Sequence, residues 1–164
     1  MTVLLLQPAL HEKIWGGTEL ETFGYTLPSD HVGEAWVISA HHNGVSTIKQ
    51  GKFAGQSLAQ LWSERPELFG GHAPEAAFPL LVKILDAQEN LSIQVHPNDK
   101  QSSENFGKTE SWYILDATPD AQLYYGHHAK TKAELKAMVD NREWTQLLRT
   151  IPVAKGDFFY VPAG

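Results

Sequence analysis

The chain has 164 residues, of which 42% are hydrophobic and 20% charged, and this favours one globular domain over residues 1–164. Its net charge of -6 without any Lys/Arg cluster argues against nucleic acid as a partner, and no apolar run is long enough to span a membrane. Because the chain has no cysteine, disulfides and thiolate metal sites are excluded, and the composition fits a cytoplasmic protein.

Short strands separated by turns are the main predicted elements. Turn signals such as "HHNG" (41–44) and "HPND" (96–99) fall between runs that are apolar or alternate in polarity. The predicted strands are 3–6, 33–39, 45–48, 79–86, 90–96, 110–116, 121–125 and 157–161. A chain with many short strands and few helices predicts a mainly β domain, either a barrel or a sandwich, with a few inserted helices.

The predicted helices begin at capping boxes, in which a Ser or Thr is followed three residues later by Glu or Gln. Capping boxes occur at Thr18, Ser57 and Thr131. They predict helices in 18–23, 57–69 and 131–141. A further helix is predicted for "REWTQLLRT" at 142–150.

The stretch "ENLSIQVHPND" (89–99) alternates apolar and polar residues as a strand with one buried face does. Gln94 and His96 are two positions apart, so on a strand their side chains project from one face about 6.6 Å apart. An imidazole and an amide oxygen at that spacing can share one metal ion. A buried hydrogen-bonded pair or a solvent-facing strand explains the same spacing.

A second candidate lies in "GKTESWYIL" (107–115), where Glu110 shares a strand face with Trp112 and Ile114. A carboxylate on an apolar face is costly unless it is paired or bound to a metal, although a glutamate at a strand end can also reach solvent. Lys108 is on the same face and is either a proton carrier or an ordinary surface charge.

The stretch "KGDFFYVPAG" (155–164) has the spacing G-x5-P-x-G at Gly156, Pro162 and Gly164. It resembles the first part of the second cupin motif, in which a metal-binding histidine follows three residues after the last glycine. That histidine is not in this sequence.

Together these stretches resemble the type I mannose-6-phosphate isomerases, which have the cupin fold, and in particular their short bacterial form. The matching segments occur in the order of the family and are "IWGG" (14–17), "GEAWVISAH" (33–41), "FPLLVKILDAQENLSIQVHPND" (78–99), "GKTESWYIL" (107–115) and "KGDFFYVPAG" (155–164). The resemblance implies a cupin or jelly-roll fold and an isomerase that interconverts mannose 6-phosphate and fructose 6-phosphate. Since the family's chains are roughly twice as long, this sequence resembles their N-terminal half.

The resemblance also implies a zinc ion held by Gln94, His96 and Glu110, with the family's fourth ligand and its downstream arginine missing from this chain. It implies that Lys108 carries the proton. It further implies that the substrate is contacted by Ser92, at its phosphate, and by Trp15, as a wall of the sugar pocket. Lys83 shares its strand face with Leu81 and Leu85, and it either points outward to solvent or lies in the pocket as a third substrate contact. Glu34 and His41 fit the family's pattern without an assigned role.

The alternative interpretation is a non-catalytic cupin fragment that acts as a sugar-phosphate-binding or assembly module. In either case we expect little isomerase activity from this chain alone. We also expect it to associate, for example as a homodimer, through the apolar edge that follows Val161.

Overall fold

The computed structural model describes residues 3–73, 76–103 and 106–164 and is mainly β with short helices, as the sequence predicts. The strands are β1 (Leu6–Gln7), β2 (Ala9–Gly17), β3 (Val32–Ser39), β4 (Thr47–Ile48), β5 (Leu81–Leu85), β6 (Glu110–Tyr113), β7 (Gln122–His127), β8 (Leu148–Pro152) and β9 (Phe158–Val161). The α-helices are α1 (Leu58–Glu64), α2 (Lys132–Asp140) and α3 (Trp144–Leu147), and 3-10 helices occupy Glu19–Phe23 and Pro66–Phe69. Within the described ranges, no helix has the length and hydropathy that a membrane span requires.

The chain divides into two compact units, one ending at Leu91 and the other comprising Ser92–Gly164. The first unit contains an antiparallel sheet in the order β2-β3-β5. Its core is formed by Leu20, Val32 and Ala35, which are almost completely buried. A second apolar cluster forms where Leu61 of α1 packs with Ile48 and Phe53. The division into two compact units does not test the prediction that residues 1–164 form one domain, and this stays a prediction.

Strand β2 was not among the predicted strands, although it is the longest in the described chain. Its pairing with β3 shifts register after His11 and again after Glu12, which interrupts the alternation that identifies a strand. Gly16 lies so close to β3 that a Cβ atom on it would be 2.4 Å from the backbone nitrogen of Gly33. The "IWGG" stretch therefore lets two backbones approach closely beside an irregular strand.

The second unit consists of two antiparallel ribbons and two helices. Strand β6 pairs with β9, and β7 pairs with β8. A hydrogen bond from the Tyr125 hydroxyl to the Tyr160 carbonyl oxygen, 2.5 Å long, joins the two ribbons. The predicted strands at 110–116, 121–125 and 157–161 are confirmed with shifted ends.

Three sequence predictions are wrong in part. Residues 90–96 form no regular strand. Alternating apolar and polar residues indicate an extended chain, but a strand also needs a neighbouring strand for its backbone hydrogen bonds. In the predicted helix 142–150, only Trp144–Leu147 are helical and the chain continues into β8, whose pairing with β7 overrides helix propensity. Segment 18–23 is a 3-10 helix in which Thr18 makes no capping hydrogen bond.

Candidate metal and proton-transfer site

Three predicted site residues of the second unit meet around one carboxylate. Nε2 of His96 lies 3.1 Å from Oε2 of Glu110, and Nζ of Lys108 lies 3.0 Å from Oε1 of the same residue. The His96 side chain is 15% exposed and that of Glu110 is 25% exposed, whereas Lys108 is 45% exposed. Each carboxylate oxygen thus has a nitrogen-bearing side chain beside it, and the lysine is the member most accessible to solvent.

Backbone contacts hold these side chains together although residues 90–96 form no strand. Glu110 is the first residue of β6 and pairs with Val161 of β9. The amide nitrogen of Gly164 donates to the carbonyl oxygen of His96 at 2.9 Å, and that of Lys108 donates to Pro97 at 3.1 Å. The chain around His96 is therefore attached both to the end of β9 and to the segment that leads into β6.

The pKa of Glu110 is lowered from its ordinary value despite opposing effects. Loss of solvent around the partly buried carboxyl raises this pKa, and the hydrogen bond and the positive charge of Lys108 are the largest of the effects that together lower it. His96 and Trp112 lower the pKa further. The group is consequently ionised at neutral pH, which is the state that can bind a cation.

Gln94 and Ser92 form an exposed pair of their own. Nε2 of Gln94 donates to Oγ of Ser92 at 2.7 Å. Among the described residues no hydrogen bond links Gln94 to His96 or Glu110. The pairing occupies the amide nitrogen of Gln94 and leaves its oxygen, the atom that binds metal ions, without a hydrogen bond in the described structure.

His96 and Glu110 are in direct hydrogen-bonding contact at 3.1 Å. Two ligands about 2.0–2.2 Å from one zinc ion at a tetrahedral angle are about 3.3–3.6 Å apart, so a small outward movement of either side chain would be needed to hold such an ion between them. Nitrogen and oxygen donors of these types are common in zinc sites. Within the described ranges, no group of three or more His, Asp or Glu side chains could hold a metal, so a metal bound to this pair would need a third ligand of another type, such as the amide of Gln94.

Trp15 and Lys83, the two remaining predicted substrate contacts, lie in the first unit. Trp15 is buried, with 9% of its surface exposed, and packs against Gly33. Nζ of Lys83 lies 3.4 Å from Oε2 of Glu34 and 4.4 Å from the ring centre of Trp36. The sequence leaves open whether Lys83 points outward; in the structure it forms an ion pair that is mostly shielded from solvent.

Glu34 is a buried acidic residue to which sequence analysis assigned no role. Its Oε2 accepts a 2.6 Å hydrogen bond from Nε1 of Trp36, and Nζ of Lys13 lies 3.9 Å away. Desolvation raises the pKa of Glu34, yet the Trp36 hydrogen bond and the two lysine charges lower it overall. The sequence contains one sign of this buried network, which is a glutamate inside the apolar strand "GEAWVIS". A charge buried in a sheet requires partners.

Comparisons with known proteins identify relatives over the whole chain. The sequence model of one family, described as phosphomannose isomerase type I, catalytic domain, matches residues 3–121. The mannose-6-phosphate isomerase ManA of Bacillus subtilis (strain 168) is 50% identical over 165 residues, and the mannose-6-phosphate isomerase of Streptococcus mutans is also 50% identical over 165 residues. Each match covers 98% of this chain and 52% of the relative.

Solved structures give the same result. The crystal structure of the mannose 6-phosphate isomerase from Bacillus subtilis matches with a TM-score of 0.94 and 48% identity, over 100% of this chain and 54% of that one. A putative mannosephosphate isomerase from Archaeoglobus fulgidus matches with a TM-score of 0.74 and 25% identity, over 98% of this chain and 55% of that one. The chain therefore spans about half the length of the curated relatives that it matches.

Proposed function

The chain belongs to the type I phosphomannose isomerases, and from this membership we propose that it takes part in interconverting mannose 6-phosphate and fructose 6-phosphate. The observation that carries the proposal is the contact of His96, Glu110 and Lys108 in a chain of this family. The alternative, a module without catalysis, is not favoured, because the relatives are named as isomerases.

We propose zinc as the metal, bound by Gln94, His96 and Glu110. Glu110 is ionised, His96 lies beside it, and among the described residues the amide oxygen of Gln94 accepts no hydrogen bond. When bound, a zinc ion polarises the hydroxyl and carbonyl oxygens of the sugar and stabilises the negative charge that develops on them.

Lys108 is the proposed proton carrier. Isomerisation of the aldose moves a proton from C2 to C1 through an enediol, so one group must accept the proton and then return it to the neighbouring carbon. Nζ of Lys108 is held by Glu110 while a large part of the side chain stays exposed to an incoming sugar. The ammonium group that pairs with Glu110 therefore has to lose a proton before Nζ can accept the one from C2.

The proposed substrate contacts follow from the remaining side chains. Because Ser92 accepts a hydrogen bond from Gln94, its hydroxyl hydrogen is left to donate to a phosphate oxygen. Trp15 offers only the small exposed part of its indole as a wall for the sugar. Lys83 supplies a positive charge that a phosphorylated sugar would attract, in competition with Glu34.

Two further expectations belong to this proposal. A cytoplasmic location is consistent with phosphorylated sugars as substrates. Association of two copies through the β6–β9 ribbon is suggested by the exposure of Tyr113, Phe158 and Tyr160.

A chimera tests the proposed function. The first half of the Bacillus subtilis isomerase ManA is replaced by this chain, which matches 52% of that protein. The chimera should interconvert the two sugar phosphates, and Lys108→Met in it should lower kcat by roughly 10²–10⁴-fold, the usual contribution of acid–base catalysis.

The matched control is Lys132→Met, which removes an exposed lysine at the start of α2. This variant should retain the kcat of the chimera. A folded but inactive chimera, with the parent enzyme active in the same assay, would contradict the proposed function. Equal losses in both lysine variants would contradict the role of Lys108.

A further inference from the structure

His11 is a histidine of the first unit that the proposed function does not use. It lies on β2 directly opposite Glu34 of β3, and its ring centre is 4.3 Å from that of Trp36. Its Nε2 is buried and has no hydrogen-bond partner in the described part of the chain. An orphaned ring nitrogen of this kind is uncommon in a folded protein and calls for an explanation.

Nε2 of His11 faces Gly44, which belongs to a tight turn at 41–44. A Cβ atom on Gly44 would lie 2.4 Å from Nε2 of His11, so the two residues are in direct contact. The turn is closed by a 3.0 Å hydrogen bond from the Gly44 amide to the His41 carbonyl oxygen. The ring of His41 meets Trp36 edge-on at 5.6 Å, so His11 and the turn both pack on one indole.

A proton on Nε2 would be unfavourable in this position. It would create a buried N–H group that faces Gly44 and has no acceptor. Two lysines, Lys13 on β2 and Lys83 on β5, add repulsion. The turn itself carries His41 and His42, whose rings stack on each other at 4.3 Å.

Glu34 acts in the opposite direction, since its carboxylate attracts a charged imidazole. Its Oε2, however, already accepts from Trp36 and lies beside Lys83. Burial lowers the pKa of His11, attraction by Glu34 raises it, and the two lysines lower it, so that the overall direction is downward.

We propose that His11 is a pH-sensitive latch, whose neutral ring holds the 41–44 turn against Trp36 and whose protonation releases that turn. The proposal concerns the first unit alone and does not depend on the proposed function. Release would also affect Lys83, because Trp36 supplies both the ring below its ammonium group and the hydrogen bond to its partner Glu34.

The sign of the pH dependence follows from the lowered pKa. The stabilisation that neutral His11 gives the latched state is complete above the ordinary imidazole pKa of about 6.5. It is lost as the pH falls from there towards the lower pKa of the latched state. Over this whole pH interval, the ratio of latched to released turn decreases tenfold for every pH unit that separates the two pKa values.

Nuclear magnetic resonance on the full chain tests the latch. The ring signals of His11 should titrate with a midpoint below that of a free imidazole. The protection of the Gly44 amide against hydrogen exchange, corrected for intrinsic rates, should fall between pH 7 and pH 5, and the Trp36 indole N–H signal should shift over the same range.

Two variants separate His11 from its neighbours. In His11→Leu the protection of Gly44 should no longer change between pH 7 and pH 5, whereas in His41→Gln the change should remain. A His11 midpoint at or above 6.5 in the unmodified chain would overturn the proposal even if a variant did not fold. An unchanged pH dependence in a folded His11→Leu variant would overturn it as well.

Discussion

Two glutamates of this chain keep a lowered pKa in partly buried positions because cations and hydrogen-bond donors outweigh their loss of solvent. Glu110 depends mainly on Lys108, which is itself accessible. Glu34 depends on the Trp36 indole and on two lysines from neighbouring strands. The first arrangement leaves a charged group that a metal or substrate can reach, and the second forms a closed network within a sheet.

The zinc proposal predicts that Glu110→Gln weakens zinc binding by more than the roughly 10–100-fold that loss of an outer-shell partner costs. The substitution removes an ionised ligand and keeps the side chain's size. Zinc affinity is measured by competition with a chelator. Glu64→Gln, at an exposed position at the end of α1, is the matched control and should bind as the unmodified chain does. Similar affinities for the two variants would show that Glu110 is not a ligand.

The Glu34 network predicts a specific loss of stability in acid. Because the folded pKa is lowered, the stabilisation is complete above the ordinary glutamate value of about 4.3 and is lost as the pH falls through the lower folded value. The free energy of unfolding, measured in urea at pH 6 and pH 3, should therefore decrease more in the unmodified chain than in Glu34→Gln. At pH 6 the variant should be less stable by about 1–3 kcal/mol, since Lys83 loses its charged partner. Equal decreases in the two proteins would rule the network out as the cause.

At the scale of elements, similar capping signals in the sequence lead to different structures. Ser57 and Gln60 form a complete capping box at the start of α1, with both hydrogen bonds present. Thr131 accepts from the Glu134 amide at the start of α2, but the Glu134 carboxylate accepts from the Lys130 amide instead of from Thr131. Thr18 makes no such bond. The spacing therefore indicates where a helical turn begins but does not determine whether its cap forms.

This difference predicts the effect of removing each cap. Ser57→Ala should lower the free energy of unfolding by about 1 kcal/mol, because the Gln60 amide loses its acceptor. Thr18→Ala is the matched control and should have a much smaller effect, since its hydroxyl caps nothing. Both are measured by urea unfolding. A loss of equal size in Thr18→Ala would mean that the loss at Ser57 does not come from its cap.

At the scale of the whole molecule, the sheets are narrow. Each sheet in the described part of the chain has two or three strands, and the β6–β9 ribbon exposes large apolar side chains. A two-stranded ribbon is only marginally stable in water without further packing. The relatives are about twice as long, so this chain contains about half of what their fold is built from.

We expect the purified chain to have little or no isomerase activity by itself. The resemblance implies a fourth metal ligand and an arginine that residues 1–164 do not include, so a polypeptide of these residues alone should bind metal and stabilise the transition state more weakly. The test is a coupled assay of the zinc-loaded chain beside the full-length Bacillus subtilis enzyme. Turnover on the order of 10 per second, ordinary for enzymes, would show that this expectation is wrong.

The exposed ribbon predicts self-association. The molar mass from light scattering should rise towards that of a dimer with increasing concentration, and Phe158→Lys should shift the chain towards monomer by placing charge on the apolar face. Ile14→Lys is the control, because Ile14 is also exposed but belongs to the first unit. Within the chain, residues 158–161 pair with β6 along one edge. A chain that stays monomeric at all concentrations would rule out the association.

Patterns within a few residues were sufficient to predict much of this protein. The cap of α1, the common face of Glu110, Trp112 and Ile114, and the family could all be read from adjacent or regularly spaced residues. These features depend on local backbone geometry or on short sequence motifs, and both can be recognised without knowing which distant residues come together.

Other features were decided only by the tertiary structure. The strand predicted at 90–96 fails because no strand in the described part of the chain forms a ladder with it, and such a partner cannot be inferred from alternation. The contact of His11 with Gly44 and the network of Glu34 with Lys83 join positions more than thirty residues apart. They depend on the register of β2 and β5 against β3, which is irregular in both pairings, and a register shift of one residue moves every side chain to the other face.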